Sequence, residues 1–571
     1  MNTSTEINDL SKLSTLVGPT EPSLWNITLS QLLKQQTETT PSGQCVVFPE
    51  AGYRATYQQL YQSTLAVAKG LVAAGIRRGD NIGIFAGNCP PYVELFFAAS
   101  HIGAALVVLN CTYNPSELRF ALKHSGCRLL FISSRIGRIS SQEVLKMLES
   151  EDSCASLVEL QEVILLQKSS QWAFREYADL VRGGEGISDS QIATRMSTVE
   201  PNDMCNLQFT SGTTAAPKAA MLTHNNLVNN GRFIGDRMRL SEEDIICCPP
   251  PLFHCFGLVL GLLAALTHGS SIVFPSETFQ AQKVLQALSK ERCTALHGVP
   301  AMFSAELELL QPGADLSRLR TGIAAGAPVP RKMMLDLQKT FNMSEITNTY
   351  GMTETSPASF MTFTDDPVEK RLSTVGKLLP HMRAKIIDAN GEIVPTGARG
   401  ELCVAGFALQ LGYWRNPQKT AEAMRTDQDG IRWMHTGDEA VFDNEGYCRI
   451  TGRIKDIIIR GGENILPLEI EERLVQHPSI IQASVIGIAD TKYGEAVGAF
   501  LQHRTTHEQP SQEELAKFVR ETLGWHKAPV HVFWLSVDED FPKTGSGKIK
   551  KHVLKEKGAE LIRKDMRSAK L

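Results

Sequence analysis

The sequence lacks a charge excess of either sign, a membrane-length hydrophobic run and any regular spacing among its cysteines. Its 571 residues carry 58 lysines and arginines against 62 acids, a formal net charge of −4. This balance excludes a nucleic-acid binder held by bulk positive charge. The longest apolar stretches, 95–109 and 257–266, are shorter than the roughly 20 residues that span a bilayer, so we interpret both as buried helices. We expect neither a nucleic-acid partner nor a transmembrane segment.

The cysteines and the chain ends bear on the cellular compartment. The 12 cysteines show neither disulfide-framework nor metal-knuckle spacing, which is typical of reduced thiols inside a cell. The opening residues, MNTSTEINDLSKL, are polar and acidic early, so no amino-terminal export signal is expected. The last residues, Ala569, Lys570 and Leu571, are a conservative variant of the Ser-Lys-Leu peroxisomal address. We expect the peroxisomal import receptor as a partner, and a cytoplasmic location otherwise.

Helix-like and strand-like segments alternate in the first part of the chain. Residues 57–74 and 92–102 show helical periodicity, and 81–85 and 105–109 are short apolar β-like runs. Such alternation predicts the α/β class, with layered and largely parallel sheets. The polar region 136–195 has weak periodicity, and we interpret it as insertions and loops.

The length predicts more than one domain, because one hydrophobic core rarely supports more than about 250–300 residues. The sequence changes character after Lys455, where the glycine pair Gly461–Gly462 precedes another helix-like and β-like alternation. We predict a large N-terminal domain of layered α/β subdomains at 1–454. A small α+β C-terminal domain is predicted at 455–571, which is long enough to fold separately.

A loop rich in threonine, serine and glycine lies within LQFTSGTTAAPKAAMLTHNNLVNN at 207–230, between β-like and helix-like segments. Hydroxyl groups can donate to phosphate oxygens, a glycine permits close backbone approach, and a lysine adds positive charge. The loop lacks the GxxxxGK[ST] pattern of a Walker loop, and by composition alone it is also typical of a surface turn. The candidate phosphate-binding residues are Thr210, Ser211, Gly212, Thr213, Thr214 and Lys218.

The complete string TSGTTAAPK resembles the phosphate loop of the adenylate-forming superfamily, which includes acyl-CoA synthetases, luciferases and peptide-synthetase adenylation domains. Four further blocks occur in that family's order: YGMTETSP at 350–357, GELCVAGFALQLGYW at 400–414, HTGDEAVFDNEGYCRITGRIKDIIIRGGENILPLEIE at 435–471 and PKTGSGKIKK at 542–551. The chain looks most like medium-chain acyl-CoA synthetases and coumarate-CoA-ligase-like enzymes. The resemblance implies an AMP-forming ligase that uses ATP, Mg²⁺ and coenzyme A and proceeds through an acyl adenylate.

The resemblance also implies catalytic roles for four residues. Glu354 would hold Mg²⁺ against the phosphates, since a hard carboxylate oxygen suits that ion, and Thr353 would contact the α-phosphate. Lys548 would bridge the substrate carboxylate and the α-phosphate with its compact ammonium group. His254 matches a position that closes the acyl pocket and moves between half-reactions. Outside this context, Glu354 and Lys548 would be solvated surface charges and His254 a core histidine.

The nucleotide site is implied in the same way. Asp438 would accept hydrogen bonds from both ribose hydroxyls, and Arg453 would support the ribose or the phosphates. Outside this context, Asp438 would be a turn residue and Arg453 a surface ion-pair partner. The remaining residues expected around the nucleotide and the acyl entrance are Ala325, Gly326, Ala327, Thr349, Tyr350, Gly351 and Met352.

In the resembled family the small domain is mobile and alternates between two arrangements. One arrangement delivers the catalytic lysine, and the other presents a glycine loop to coenzyme A. Lys455 falls at the hinge position of that pattern. The residues expected to line the pantetheine tunnel are Arg460, Gly461, Gly462 and Glu463.

Two positions depart from the family's pattern, since Ala215 and Ala219 replace the glycines that usually flank the Pro-Lys pair. Alanine restricts the backbone only mildly, so we expect a changed ATP affinity at most. The residues implied to be catalytic, Glu354 and Lys548, are both present.

The substrate is less defined than the reaction. Aromatic and aliphatic residues in nearby apolar segments predict a lipophilic acyl pocket: Phe253, Phe256, Val299, Met302 and Phe303. We therefore expect a carboxylic acid such as a medium-chain or branched fatty acid. The alternatives are transfer of the acyl group to a carrier-protein phosphopantetheine, a luciferase-like oxygenase, and a nucleotide-binding regulator without enzymatic activity.

Overall fold

A computed structural model describes residues 13–150, 156–210, 217–536, 539–544 and 548–568. The predicted α/β class is confirmed, because parallel sheets covered by helices form most of the described chain. Within these residues, no helix combines the length and apolar character needed to cross a membrane.

The first large sheet has seven strands, parallel except for the last. Its strands, in spatial order, are Arg175–Glu176, Glu162–Leu165, Cys127–Ile132, Asn81–Phe85, Ala105–Val108, Met204–Thr210 and Lys218–Thr223. The central strand Asn81–Phe85 is buried along its whole length, as expected for a parallel strand covered on both faces. The neighbouring helices are Tyr57–Ala73, Pro90–His101, Pro115–Ser125, Gln142–Glu149, Tyr177–Gly183 and Asp189–Met196.

Two sequence interpretations are wrong in this sheet. The region 136–195 is not only insertions and loops, because Glu162–Leu165 pairs with the strand Cys127–Ile132 and Tyr177–Gly183 packs against Tyr57–Ala73. The apolar stretch 95–109 is not one helix. Its helix ends at His101, and a left-handed turn at Gly103 with φ of 72° leads into the strand Ala105–Val108.

The second large sheet has nine strands, with a parallel centre and antiparallel strands at both ends. In spatial order they are Lys377–Leu378, Ala358–Met361, Glu345–Gly351, Thr321–Ala324, Ala295–Leu296, Ile245–Cys247, Ser271–Val273, Gln44–Phe48 and Tyr53–Thr56. The associated helices are Leu29–Thr39, His224–Met238, Phe256–Leu263, Ala264–Thr267, Ala281–Lys290, Pro300–Leu309, Arg331–Thr340 and Val368–Ser373.

The helix Phe256–Leu263 is a wide π-helix, a rare form that is frequently found at functional sites. Its glycines allow close packing, since a Cβ at Gly257 would lie 2.4 Å from the Pro251 carbonyl oxygen. A Cβ at Gly261 would lie 2.5 Å from Cys248 Sγ. The stretch 257–266 is therefore a buried helical segment, as predicted, but with wider turns than an α-helix at its start.

A third, antiparallel sheet contains Thr15–Val17, Met382–Ile387, Gly400–Gly406, Arg432–Phe442, Met424–Thr426 and Cys448–Arg453. The helix Pro417–Ala423 precedes its strand Met424–Thr426. Small elements complete this part of the chain: the hairpin Arg135–Ile136 and Ile139–Ser140, and the short 3₁₀ turns Pro49–Ala51, Thr353–Thr355 and Ile454–Asp456.

A fourth sheet follows the turn Ile454–Asp456. Its strands are Glu463–Ile465, Ile458–Arg460, Gly494–His503, Ile480–Asp490 and His531–Trp534, and its helical segments are Pro467–Val475, Gln512–Arg520, Trp525–Lys527 and Lys551–Ser568. Ile470, Val485 and Leu515 belong to a hydrophobic cluster whose members all follow residue 457. The division at Lys455 stays a prediction.

Candidate active site

The turn that carries Glu354 follows the strand Glu345–Gly351. Glu354 is only 6% exposed. Gly351 is needed here because a Cβ would lie 1.8 Å from the carbonyl oxygen of Pro357, across the turn. Met352 closes this turn by donating its N–H to the same oxygen, at 3.0 Å. The Thr349 hydroxyl donates to the Phe360 carbonyl at 2.7 Å, so its hydrogen bonds to the neighbouring strand and not to a ligand.

The Glu354 carboxylate contacts a residue to which the sequence assigned no role. Tyr413 donates its hydroxyl proton to Glu354 Oε1 at 2.8 Å. Lys218 Nζ lies 3.4 Å from the same hydroxyl oxygen and 4.5 Å from the centre of the ring. The only sequence signal for Tyr413 was its place in the block at 400–414. The Tyr413 phenol thus connects Lys218, which follows the phosphate loop, to the buried carboxylate of Glu354.

Asp438 and Arg453 face each other in register on two antiparallel strands. Arg453 Nε donates to Asp438 Oδ1 at 3.0 Å, and the Tyr350 hydroxyl donates to Oδ2 at 2.7 Å. Burial and the charge of Asp438 raise the pKa of Tyr350 well above its ordinary value, so the phenol remains a donor at neutral pH. Three residues assigned to the nucleotide therefore form one cluster.

Glu401, which the sequence did not single out, supports the loop that precedes Asp438. Its Oε2 lies 3.1 Å from His435 Nδ1, and its Oε1 accepts the N–H of Gly437 at 3.1 Å. Burial opposes the charge of Glu401, but the contacts with His435 and Gly437 and the charge of Arg425 together lower the pKa of the carboxyl group. One carboxylate thus fixes two of the three residues before Asp438.

Lys548 comes from the C-terminal part of the chain, yet its ammonium group interacts with the charges of this site. Its backbone N–H donates to Thr544 Oγ1 at 3.1 Å, and Lys543 forms an isolated β-bridge with Ile549. Lys548 is exposed to solvent, but desolvation by the surrounding protein and the charge of Arg453 lower its pKa, while Asp438 and Glu354 oppose this shift. The structure therefore brings Lys548 to the predicted site.

His254 lies half-buried just before the wide helix Phe256–Leu263. Its Nδ1 accepts the N–H of Phe256 at 3.2 Å, which places the proton of the neutral ring on Nε2. Burial and the nearby charge of Lys548 lower the pKa of His254 to about 4. At neutral pH the side chain is therefore an uncharged donor.

A thiol that the sequence left without a role lies beside these residues. Cys255 Sγ lies 2.8 Å from Gln208 Oε1, and it also interacts with Thr353. Burial raises the pKa of Cys255 to about 12. A protonated thiol is a weak nucleophile, so Cys255 is not primed to attack an activated acyl group.

The segment 325–327 follows the strand Thr321–Ala324 and lies against apolar side chains. Gly326 has φ of 85°, and a Cβ there would lie 3.0 Å from Val299 Cγ1 and 3.9 Å from Phe256 Cδ1. Any side chain at Gly326 would crowd this apolar surface. Of the predicted acyl-pocket residues, Phe256 and Val299 are buried here, and Phe253 and Met302 pack on the same hydrophobic cluster. Phe303 is fully buried in a different cluster.

Parts of the predicted phosphate site lie outside the described residues. These are Ser211, Gly212, Thr213 and Thr214, together with the substituted Ala215. Thr210 ends one strand and pairs with Lys218 at the start of the next, so the described chain brings both ends of the loop together. Ala219 is fully buried within that second strand.

The glycine pair of the predicted thiol tunnel forms the two-residue turn of a hairpin. Gly461 and Gly462 have φ of 61° and 86°, the conformations that such tight hairpin turns require. Glu463 pairs with His526 at 3.2 Å, and the Arg460 guanidinium lies over the rings of Tyr493 and Trp525. Lys455 is exposed in the turn Ile454–Asp456.

The described groups define a class of protein. The site combines the buried carboxylate of Glu354, the ammonium group of Lys548 and the Asp438 carboxylate held by an arginine and a tyrosine. These groups suit an enzyme that binds a nucleoside triphosphate. The adjoining apolar surface at Gly326, Val299 and Phe256 suits an organic acid as second substrate. The fold and site are those of an adenylate-forming enzyme.

Comparison with known proteins agrees with this class. The chain matches the family model "AMP-binding enzyme" over residues 33–414 and the model "AMP-binding enzyme C-terminal domain" over residues 469–548. It is 56% identical to the acyl-CoA ligase sidI of Aspergillus fumigatus, over 96% of this chain and 94% of that protein. It is 37% identical to the mitochondrial medium-chain acyl-CoA ligase ACSF2 of Danio rerio, over 94% and 89% of the two chains.

Among solved structures, the ATP-bound MatB from Rhodopseudomonas palustris superposes with a TM-score of 0.80 at 25% identity, covering 94% of this chain and 100% of that chain. The chain belongs to the AMP-binding enzyme family. It is an AMP-forming acid–thiol ligase that uses ATP and coenzyme A and acts on a small-molecule carboxylic acid.

Proposed function

We propose that this ligase activates a lipophilic carboxylic acid, such as a medium-chain or branched fatty acid, in fatty acid or secondary metabolism. The observation that carries the proposal is the apolar surface that Val299 and Phe256 form against Gly326, in the segment next to the turn that carries Glu354. An acyl chain gains free energy by leaving water at such a surface. The name of the Danio rerio relative, medium-chain acyl-CoA ligase, is consistent with this substrate class.

In the first half-reaction, the acid carboxylate would attack the α-phosphate of ATP and release pyrophosphate. Both reactants are anions, so the site must supply positive charge where negative charge gathers. We assign that role to Lys548 for the attacking carboxylate and the α-phosphate, and to Lys218 for the released phosphates. Asp438 would accept the ribose hydroxyl protons, with Arg453 and Tyr350 fixing its orientation.

The donor set fits a divalent cation such as Mg²⁺ at Glu354, because a buried, hard carboxylate oxygen suits that ion. When bound, Mg²⁺ would neutralise phosphate charge. Glu354 would hold it, and Tyr413 would keep the carboxylate in one orientation through its bond to Oε1.

In the second half-reaction, the thiol of coenzyme A would displace AMP. We propose that the hairpin turn at Gly461 and Gly462 then lines the path of the pantetheine arm, with Lys455 as the hinge. Both glycines are exposed, and a Cβ at Gly462 would meet no atom within 4 Å.

The test is a screen of carboxylic acids for acid-dependent pyrophosphate release, with straight-chain, branched, aromatic and hydroxylated acids compared. Release that is greatest for medium-chain or branched acids is expected, and a preference for small polar acids would contradict the proposed substrate. Supplying coenzyme A or a phosphopantetheinylated carrier protein then identifies the acceptor. Exclusive transfer to the carrier, or oxygen-dependent product formation, would replace this proposal with one of the two enzymatic alternatives.

We propose a peroxisomal location for the protein, based on the ending Ala569-Lys570-Leu571, which lies outside the described residues. The import receptor reads such a tripeptide as an address. Expression of an amino-terminally tagged protein, with and without these three residues, tests the proposal. The full chain should enter peroxisomes and the truncated chain should stay in the cytoplasm, whereas unchanged import would overturn the assignment.

A further inference from the structure

Tyr413 lies between the two charged groups that the proposed reaction needs most. The residue is 3% exposed. Its hydroxyl donates to Glu354 Oε1 at 2.8 Å and lies 3.4 Å from Lys218 Nζ, whose ammonium also lies over the ring. The hydroxyl oxygen accepts a hydrogen bond from Lys218 while its O–H donates to Glu354, so the three groups form one directed chain of hydrogen bonds.

The backbone around Tyr413 is fixed to both partners. Trp414 N–H donates to the Ala219 carbonyl at 2.8 Å, which attaches this segment to the strand that leaves the phosphate loop. Gln410 N–H donates to the Glu354 carbonyl at 2.9 Å, which attaches it to the turn that carries the carboxylate. The backbone around Tyr413 is therefore held by main-chain hydrogen bonds to both partners, which keeps the phenol between them.

We propose that Tyr413 is a positioning residue that orients Glu354 toward a metal–ATP complex and couples this orientation to Lys218. The bond from the Tyr413 hydroxyl occupies Oε1 and leaves Oε2 as the carboxylate oxygen that could hold a cation. Because an uncompensated buried carboxylate is costly, losing the phenol proton would let Glu354 turn toward other donors.

The inference rests on the proposed roles of Glu354 and Lys218, but it can fail separately from them. The variant Tyr413→Phe keeps the ring, and therefore the cation–π contact with Lys218, and removes only the hydroxyl group. Tyr447→Phe is a matched control. The Tyr447 hydroxyl donates to Asp366 Oδ1 at 2.7 Å, and Lys370 and Lys377 each lie 4.6 Å from the centre of its ring.

The experiment measures Mn²⁺ binding by electron paramagnetic resonance, in the presence of a non-hydrolysable ATP analogue, for the wild type and both variants. We expect about tenfold weaker Mn²⁺ binding for Tyr413→Phe, the size of one lost charge-assisted hydrogen bond, and no change for Tyr447→Phe. In a Glu354→Gln background, Tyr413→Phe should have little further effect, because the two residues act as one unit.

Each outcome decides between specific claims. Wild-type protein that binds no Mn²⁺–nucleotide complex would contradict the proposed role of Glu354 itself. Normal wild-type binding with an unchanged Tyr413→Phe variant would overturn the positioning role alone, as would full additivity in the Glu354→Gln background. Loss of folding in Tyr413→Phe, judged by its circular dichroism, would assign the residue a structural role and equally overturn the proposal.

Discussion

Arg453 and Asp438 are 15 residues apart in the chain and directly opposite each other across two antiparallel strands, with Nε and Oδ1 3.0 Å apart. The second oxygen of Asp438 accepts the Tyr350 hydroxyl proton. The carboxylate is thus oriented before any ligand binds. A preoriented acceptor loses less freedom when ATP binds than a mobile one would.

The first prediction concerns this carboxylate. Asp438→Asn keeps the shape of the side chain but removes its charge and one acceptor oxygen. ATP binding should weaken by about 1.5–3 kcal/mol, the range for a hydrogen bond to a charged group, as measured by calorimetry. Asp443→Asn is the control. Asp443 lies in the turn between the same two strands and forms an ion pair with Lys370 at 2.6 Å. Equal losses in both variants would contradict a specific nucleotide role for Asp438.

The second prediction separates the two half-reactions through Lys548. Lys548→Ala should reduce acid-dependent ATP–pyrophosphate exchange by about 10²–10³-fold, as for loss of one preorganised electrostatic donor. Transfer of the acyl group from supplied acyl-AMP to coenzyme A should continue. The control is Lys543→Ala in the same loop, because that lysine pairs with Asp540 at 2.8 Å. Normal exchange in the Lys548 variant would show that another group performs its role.

The third prediction concerns the thiol path at Gly462. Gly462→Leu should leave acyl-AMP formation normal and slow the release of acyl-CoA. Leucine at φ of 86° is strained, so the control is Gly430→Leu, at an open turn with φ of 76°. Rapid-quench measurement of acyl-AMP and acyl-CoA separates the steps. Equal slowing of both steps at Gly462 would count against the tunnel.

The fourth prediction is a pH dependence of stability from Glu306. This residue is fully buried, and neither carboxylate oxygen has a hydrogen-bond partner among the described residues. Burial raises the pKa of Glu306 to about 8 from an ordinary value of 4.5. Between these values the folded state holds a proton that the unfolded state has lost, so this carboxyl group makes the protein less stable as the pH rises.

Glu306→Gln removes that titration. Relative to the wild type, its free energy of unfolding should increase by about 1.4 kcal/mol per pH unit between pH 4.5 and 8. The difference should level off above pH 8. Chemical denaturation at several pH values measures it, with the exposed Glu308→Gln on the same helix as control. A difference that stays constant with pH would show that Glu306 is charged in the folded protein.

Motif order along the sequence predicted much of the site. The residues Glu354, Asp438, Arg453 and Lys548 belong to contiguous blocks, and the structure brings their charged groups into mutual interaction. The motif blocks predicted these residues because each block folds locally. The Asp438–Arg453 pair, for example, forms within a single hairpin.

The residues that sequence reasoning missed act over long separations. Tyr413 reaches Glu354 across 59 positions and Lys218 across 195, and no local pattern encodes such a meeting. The same limit explains the region 136–195, whose strands of two to four residues are too short to show periodicity. The apolar stretch 95–109 was wrongly interpreted as one buried helix because its apolar character continues through the turn at Gly103, whereas periodicity correctly separated the helix at 92–102 from the strand at 105–109.

The central claim is that one protein converts ATP, a lipophilic acid and coenzyme A into AMP, pyrophosphate and an acyl-CoA, with Glu354 and Lys548 at the phosphates. The most direct measurement follows the products of purified protein with a medium-chain acid by chromatography, together with loss of the free thiol. The account predicts AMP, pyrophosphate and acyl-CoA in equal amounts, each dependent on the acid. Formation of ADP and phosphate, or AMP release without thioester, would contradict it.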